Sequence, residues 1–385
     1  MGIKVDGSVF VVKRIPCAVL AAILLICGCP RAAYAAPTLS ARAAVLIEAS
    51  SGQVLMETSA HERLPMASTT KIMTALVALE HAELDRQVKI SADAVGVEGS
   101  SVYLKADEIL TMEQLLCALL LESANDAAAA IAIEIAGDIE SFAEMMNETA
   151  QKIGLADTHF TNPHGLDNAE HYSSAYDLAM LARYALQNPD FARIVSTYKT
   201  NIPLNGDEGI RVLINHNKML KYYDGAIGVK TGYTKRCGRC LVSAATRDGV
   251  TMIAVTLSAP DDWRDHTAML DYGFSLYECA HLAQPGDIRC ALSCLGSTTE
   301  SVSVSNRDAV SLILPREHGE ITHVVEANRY LCAPVKAGDM VGEVVFCCNG
   351  KEIARIPLYA EEDAETIPRP KSRLERIKEL ITPKE

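Results

Sequence analysis

The chain predicts a mixed α/β protein in which helices pack on a largely antiparallel sheet, followed by a smaller all-β domain. Three observations carry this. Apolar positions 72, 73, 76, 77 and 79 recur at helical spacing, and further helices open at capping boxes downstream. From residue 225 short runs rich in β-branched residues take over; two of them, Cys240 to Thr246 and Thr251 to Leu257, flank Arg247-Asp248-Gly249, a hairpin signal. Beyond about Gln284 helical periodicity disappears, and runs such as Val302 to Val304, Val310 to Leu314, Ile321 to Val325 and Val341 to Cys347 alternate with Gly, Pro and Asn. At 385 residues there is room for two domains with buried cores. A net charge of −13 argues against a nucleic-acid partner.

The first 35 residues read as a signal peptide. Lys4, Lys13 and Arg14 precede an uncharged apolar run from Ile15 to Cys29, and Ala33-Tyr34-Ala35 is a small-x-small cleavage site. The run is shorter than the roughly 18–20 residues that span a bilayer. Cleavage is expected after Ala35 or Ala36, which places the mature chain outside the cytoplasm. Lipidation at Cys29 is the rival, although Cys27 and Pro30 fit that pattern poorly. Of 12 cysteines, Cys17, Cys27 and Cys29 would leave with the leader. Nine remain, an odd number that cannot all pair within one chain. Cys237-Gly-Arg-Cys240 lacks the second pair or the histidines a zinc site would need, and it lacks a βαβ context. Structural or free thiols are expected, with no metal and no cofactor.

In chain order, Ala43 to Glu48 and Gln53 to Glu57 flank a glycine-containing turn and predict a hairpin. A helix is expected from about Ser68. Residues 88–110 read as short strands and loops. Thr111-Met-Glu-Gln114 caps an apolar helix that stops near Glu122, and Asp126 leads into a second, apolar nearly all round, residues 127–136. Ser123-Ala124-Asn125 therefore lies on a connection between two buried helices, as a cap or as something more. Ser141-x-x-Glu144 and Ser174-x-x-Asp177 predict two further helix starts, with helices ending near Gly154 and Asn188. Asn162 to Asp167 between them is a loop, in which His164 is catalytic or structural. Trp263 to Cys279 reads as one more helix. The expected organisation is 1–35 leader, 36–283 first domain, 284–368 β-rich domain and 369–385 charged tail. The tail's stripe of Leu374, Ile377 and Ile381 permits either peripheral membrane association or a solvated helix.

Chemistry concentrates in three short motifs, Ser68-x-x-Lys71, Ser123-Ala-Asn125 and Lys230-Thr-Gly232. Alone, Ser-x-x-Lys is most simply an N-cap followed by a solvated lysine. Together, at a helix start, an interhelical turn and a strand, the three fit acyl transfer by serine. Ser68 supplies a nucleophile, and Lys71, one turn on, a base within reach if its pKa is lowered. The Ser123 hydroxyl, donor and acceptor at once, can relay a proton to the leaving amine. Lys230 is a second cation that would help hold Lys71 neutral. Asn125 can hold a substrate amide, and Lys230 with Thr231 a terminal carboxylate. Gly232 permits close approach to the strand, and the backbone N–H groups of Ser68 and Tyr233 would form an oxyanion hole.

These motifs resemble those of the penicillin-binding protein and serine β-lactamase superfamily. Pro65 to Lys71, Leu121 to Ala128, Asn162 to Asp167 and Val229 to Thr234 resemble, within it, the D-alanyl-D-alanine carboxypeptidases of peptidase family S11. The resemblance covers about residues 40–280 strongly, and the β-rich domain and tail only loosely. It implies a penicillin-binding-protein-like catalytic domain with a Ser68 acyl-enzyme, Lys71 as proton acceptor, and Ser123, Asn125 and Lys230 in the second and third motifs. It implies removal of the terminal D-alanine from peptidoglycan stem pentapeptides, β-lactam antibiotics as covalent inhibitors, and a role in cell wall biogenesis and cell shape. Ala124 stands where a glycine is often found, and Cys237 is unusual after Lys-Thr-Gly. A β-lactamase would need a deacylating glutamate, and Glu170 and Glu208 lack its setting. A D,D-endopeptidase of the same superfamily, or a catalytically silent wall-binding protein, would also fit the pattern.

Overall fold

The computed structural model describes residues 35–204 and 209–369. Almost all of the leader, with Cys17, Cys27 and Cys29, the tail beyond Arg369, and Glu208 lie outside the described residues. β1 (Ala43–Glu48) and β2 (Val54–Thr58) form the first hairpin, and a 3-10 turn at Ala67–Thr70 runs into α1 (Lys71–His81). β3 (Gln87–Lys89) and β4 (Ile109–Thr111) pair across a long loop. Helices α2 (Met112–Leu121), α3 (Asn125–Ala136), α4 (Ile139–Lys152), α5 (Ala175–Ala185) and α6 (Pro189–Ser196) follow. A hairpin of β5 (Lys199–Pro203) and β6 (Ile210–Ile214) and the single turn α7 (Met219–Tyr222) lead to β7 (Ala226–Thr234), β8 (Gly238–Arg247) and β9 (Val250–Leu257). α8 (Asp262–Leu276) closes this part. The rest is β10 (Tyr277–Ala283), β11 (Arg289–Leu295), β12 (Ser301–Asn306), β13 (Val310–Pro315), β14 (Ile321–Ala327), β15 (Leu331–Cys332), β16 (Met340–Cys348) and β17 (Lys351–Ala360).

The main sheet has the order β2-β1-β9-β8-β7 and is antiparallel throughout. The chain thus leaves the sheet after β2, builds its helices, and returns with β7 at the far edge. Both faces are covered, which is why β1 reads as an unbroken apolar run. Ala43, Val45 and Ile47 enter the core shared with α1, α2 and α3, while Ala44 and Leu46 face Met269 and Leu270 of α8. α1 sits at the centre, buried from Lys71 through Ala78. The alanines of α3 leave room for such close packing.

β10 passes from one core to another. Its Tyr277 packs beside α8, whereas its Ala283 joins Val302, Val304, Val344, Phe346 and Leu358. These last belong to a six-stranded sheet of order β14-β16-β17-β12-β11-β15, and β10 itself pairs with β13.

Several local expectations shift. The stretch at Ser68 is a 3-10 turn before the α-helix begins at Lys71. Ser141 is no cap: Asp138, three residues earlier, accepts from its N–H at 2.7 Å and starts α4. α6 is a helix beyond those expected; Asn188 caps it and Pro189 opens it. The last helix stops at Leu276 because Tyr277 to Ala283 is drawn into pairing with β13. Thr111 and Ser174 cap as expected.

His266 pins α8 to the sheet. It is fully buried, with its two ring nitrogens against Ser243 Oγ of β8 and Thr256 Oγ1 of β9. Burial pushes its pKa down to about 3, and burial likewise pushes His171 to about 3 and His164 to about 4. A histidine folded in its neutral form stabilises fully above its unfolded pKa of about 6.5, and that contribution is lost as pH falls toward the folded value. Urea midpoints measured from pH 7 to pH 4 should therefore fall. In His266→Gln the dependence should be shallower by up to about 1.4 kcal/mol per pH unit, one proton's worth. An unchanged slope would show that His266 titrates alike in both states.

Candidate active site

The serine turn is shaped from below by a glycine. Ala67 carries a left-handed φ of +47°. Gly165, itself at φ +87°, lies so close that a Cβ there would come within 2.0 Å of the Ala67 carbonyl oxygen. From the sheet side, a Cβ on Gly232 would lie 3.1 Å from Ser68 N. β7 therefore runs directly along the turn that presents Ser68, and the side-chain-free position lets it do so.

Lys71 meets three acceptors. Its Nζ donates to Ser68 Oγ at 3.0 Å, to Asn125 Oδ1 at 2.6 Å and to the carbonyl oxygen of His164 at 2.6 Å. The side chain is wholly buried. Burial first, and then the nearby Lys230 charge, hold its pKa well below that of an ordinary lysine, against an opposing pull from Asp126. A neutral amine has two N–H bonds and one lone pair. Once the amine is neutral, the two short contacts can keep its N–H bonds, and the 3.0 Å contact reverses so that the lone pair accepts from Ser68 Oγ, the geometry a base needs.

Asn125 is gripped in turn. Its side-chain amide donates to the Glu98 carbonyl at 2.5 Å, and its backbone N–H to the Ser100 carbonyl at 2.7 Å. Asp126 ties the same loop through Ser101 Oγ at 2.6 Å and Leu104 N at 2.9 Å. Arg211 of β6 secures the loop's far side, donating to the carbonyls of Val102 and Tyr103 and pairing with buried Glu108 at 2.5 Å. Ser123 is buried at φ +60°, beside Glu122, whose carboxylate accepts from Ile214 N and faces His216 Nε2 at 3.2 Å.

Lys230 is equally buried, and burial lowers its pKa to about 7. The Thr231 carbonyl takes one of its three N–H donors, at 3.0 Å. Tyr233, two residues beyond Thr231, is two-thirds exposed at the strand edge.

The structure thus brings Ser68, Lys71 and Asn125 into direct contact and sets Lys230 and Gly232 beside them. His164 contributes through its carbonyl, not its ring. Sequence reasoning missed the carbonyls of Glu98, Ser100 and His164, which carry no residue signature, and the Arg211–Glu108 pair. Among the described residues no group of three or more His, Cys, Asp or Glu is placed to hold a metal ion.

A serine hydroxyl against the lone pair of a desolvated lysine defines the chemistry of a serine–lysine acyl-transfer enzyme. Residues 31–261 match the family profile of D-alanyl-D-alanine carboxypeptidase, peptidase S11, and residues 277–366 match the C-terminal domain of penicillin-binding protein 5. The chain is 32% identical to the D-alanyl-D-alanine carboxypeptidase DacF of Bacillus subtilis, over 84% of its own length and 85% of the relative's. It is 31% identical to DacC of Escherichia coli, over 86% of each. The crystal structure of penicillin binding protein 5 from Haemophilus influenzae superposes with a TM-score of 0.62 at 27% identity, covering 86% of this chain and 98% of that one. The chain belongs to the S11 family of D-alanyl-D-alanine carboxypeptidases, which are serine peptidases, and here the helix-and-sheet catalytic domain is followed by a C-terminal β domain.

Gly165→Ala should test how closely the turn is fitted. The left-handed conformation alone costs an L-residue ~1–2 kcal/mol, and the new Cβ must displace the Ala67 carbonyl, one residue before Ser68. Acylation by a fluorescent penicillin, followed by stopped flow, should slow at least tenfold in a chain whose circular dichroism is unchanged. A wild-type rate would show that the turn tolerates displacement.

Proposed function

We propose that this enzyme removes the terminal D-alanine from peptidoglycan stem pentapeptides outside the cytoplasmic membrane, through an acyl-enzyme on Ser68. The contact that carries the reading is Lys71 Nζ on Ser68 Oγ, with both other partners of the amine in place.

Ser68 Oγ attacks the penultimate D-alanine carbonyl as its proton passes to Lys71 Nζ. The oxyanion is received by the N–H groups of Ser68 and Tyr233. Helix-start N–H groups lack intrahelical partners, and the close pass of β7 at Gly232 sets the second donor beside the first. Collapse of the adduct breaks the peptide bond. The proton travels from Lys71, by way of the Ser123 hydroxyl, to the departing D-alanine nitrogen. Water then attacks the ester with Lys71 again as proton acceptor, and Ser68 regains its proton. Asn125 orients the substrate amide, and Lys230 with Thr231 binds the terminal carboxylate. A β-lactam acylates Ser68 by the same path, but its amine stays tethered within the opened drug, so release is slow.

The β-rich part contains no chemical motif, and we assign it a positioning role relative to the wall. A chain ending at Ala283 keeps Tyr277 in the first core, where its hydroxyl donates to Gln53 Oε1 at 2.8 Å. That truncated chain should turn over a free peptide at a rate within about threefold of the full chain. Loss of turnover in a folded truncation would give the β-rich part a direct catalytic role.

D-Alanine release from a peptide ending in D-Ala-D-Ala should be readily measured in the wild type. It should fall by at least a thousandfold in Ser68→Ala and in Lys71→Ala, together with fluorescent penicillin labelling. Release only from crosslinked dimers would instead favour endopeptidase action. Because Lys230 loses its proton near pH 7 in the free enzyme, kcat/KM should decline above that pH as the carboxylate partner is neutralised. Lys230→Arg, which stays charged, should remove the decline while lowering the maximum. A decline that persists in the variant would assign it to another group.

A further inference from the structure

The hairpin that carries Lys230 and Gly232 holds two thiols that the reaction does not use. β7 and β8 are closed by residues 235–237, with Thr234 opposite Gly238. Gly238 is left-handed, at φ +71°, and folds the chain so that Cys237 turns inward beneath the exposed Lys235 and Arg236. There its thiol meets that of Cys240 in a hydrogen bond. Cys237 Sγ also accepts from Thr234 N and Thr234 Oγ1, both at 3.3 Å. Cys240 stands opposite Gly232 in the ladder, and its Sγ lies 3.9 Å from the Pro65 carbonyl oxygen, three residues before Ser68. Both are buried and neither is in a disulfide.

We propose that Cys237 and Cys240 form a reversible intramolecular disulfide by exchange with a low-molecular-weight disulfide, and that its formation slows acylation. The Cys237 thiol loses its proton to solvent, and the thiolate attacks one sulfur of R–S–S–R, forming Cys237 Sγ–S–R and releasing R–S⁻, which takes up a proton. Cys240 then loses its proton to solvent and attacks Cys237 Sγ, releasing the second R–S⁻, which is protonated in turn. Two protein thiols are oxidised and one disulfide is reduced to two thiols.

The pair is set up asymmetrically for this order. Hydrogen bonds from Cys240 and Thr234 hold the Cys237 thiol down to about 6, whereas the contact with Cys237 and burial hold Cys240 well above an ordinary thiol. Oxidation replaces the Cys237 thiol, which accepts from Thr234 and donates to the Gly238 carbonyl at 3.1 Å, with a disulfide sulfur that has no proton to donate. The Thr234 hydroxyl also reaches Asp167 Oδ1 at 3.1 Å, on the loop whose His164 carbonyl holds Lys71. The disulfide therefore acts on the substrate edge of β7 and on the loop behind the base.

The effect on acylation rests on the function proposed above; disulfide formation does not. The full chain would be incubated with oxidised glutathione, alkylated and peptide-mapped by mass spectrometry, and its fluorescent penicillin acylation rate measured before and after dithiothreitol. A Cys237–Cys240 linkage is expected, with acylation at least threefold slower and restored by reduction, and no such response in Cys237→Ala or Cys240→Ser. Continued alkylation of both thiols would overturn the proposal, as would a linkage without a rate change. A rate response that survives in both variants would also overturn it, by assigning the effect to another of the cysteines. If the reduced wild type is not acylated at all, the functional reading fails, and the mapped linkage alone decides whether the thiol pair is real.

Discussion

The structure depends on one buried amine. An ammonium taken out of water costs several kcal/mol even after the protein relaxes around it, and among the described residues Lys71 makes no ion pair, with only the more distant charge of Asp126 in its favour. It is given three neutral oxygens instead, from Ser68, Asn125 and His164. These stand on three separate segments: the turn before α1, the start of α3, and the loop 162–167. Each is itself held, by Gly165 under the turn, by the carbonyls of Glu98 and Ser100 on Asn125, and by Asn162 Oδ1 accepting from Gly165 N at 2.7 Å within the loop. A fold that let any one drift would leave a desolvated donor without its acceptor, so the position of the base and the integrity of the core are one problem.

The sheet supplies what the helices cannot. Because β1 pairs with β9, and β7 ends the sheet on the side of the serine turn, a second lysine and a close-packed backbone arrive beside Ser68 from residues more than 150 positions away. The price of that arrangement is a tight fit. Gly232 stands where any side chain would press on Met66, Ala67 and Ser68, which is a physical reason for glycine there beyond access for a ligand.

What was legible in the sequence follows from this division. Ser68, Lys71, Asn125 and Lys230 could be read because the chemistry needs those side chains at those spacings. Their supports could not be, since backbone carbonyls belong to every residue, and among the side chains that hold the loop from Glu98 to Leu104 is Asp126, which looked like the first residue of a helix. The main hairpins were readable from period and turn residues. β11 and β17 were not: in β11 Cys290, Ala291 and Leu292 run together without a polar residue between them, and in β17 Pro357 interrupts the run. At Ser141 the expected cap gave way to Asp138, three residues earlier, whose carboxylate accepts from Ser141 N. At Tyr277 the helical pattern continued, but pairing with β13 overrode it.

The two lysines differ in a way that assigns their roles. Lys71 has its donors spoken for inside the protein, whereas Lys230 gives one to the Thr231 carbonyl and has the others to offer a ligand. The charge on Lys230 is one of the two causes that lower the Lys71 pKa. In the proposed complex a substrate carboxylate bound at Lys230 stabilises the charge there, and a charged Lys230 in turn favours the neutral form of the base. An anionic C-terminus then does more than anchor the peptide: its arrival favours the neutral Lys71 that must take the proton of Ser68. A peptide amidated at that end would lose binding and activation together, which ties preference for a free terminal carboxylate to the same electrostatics that prepare the nucleophile.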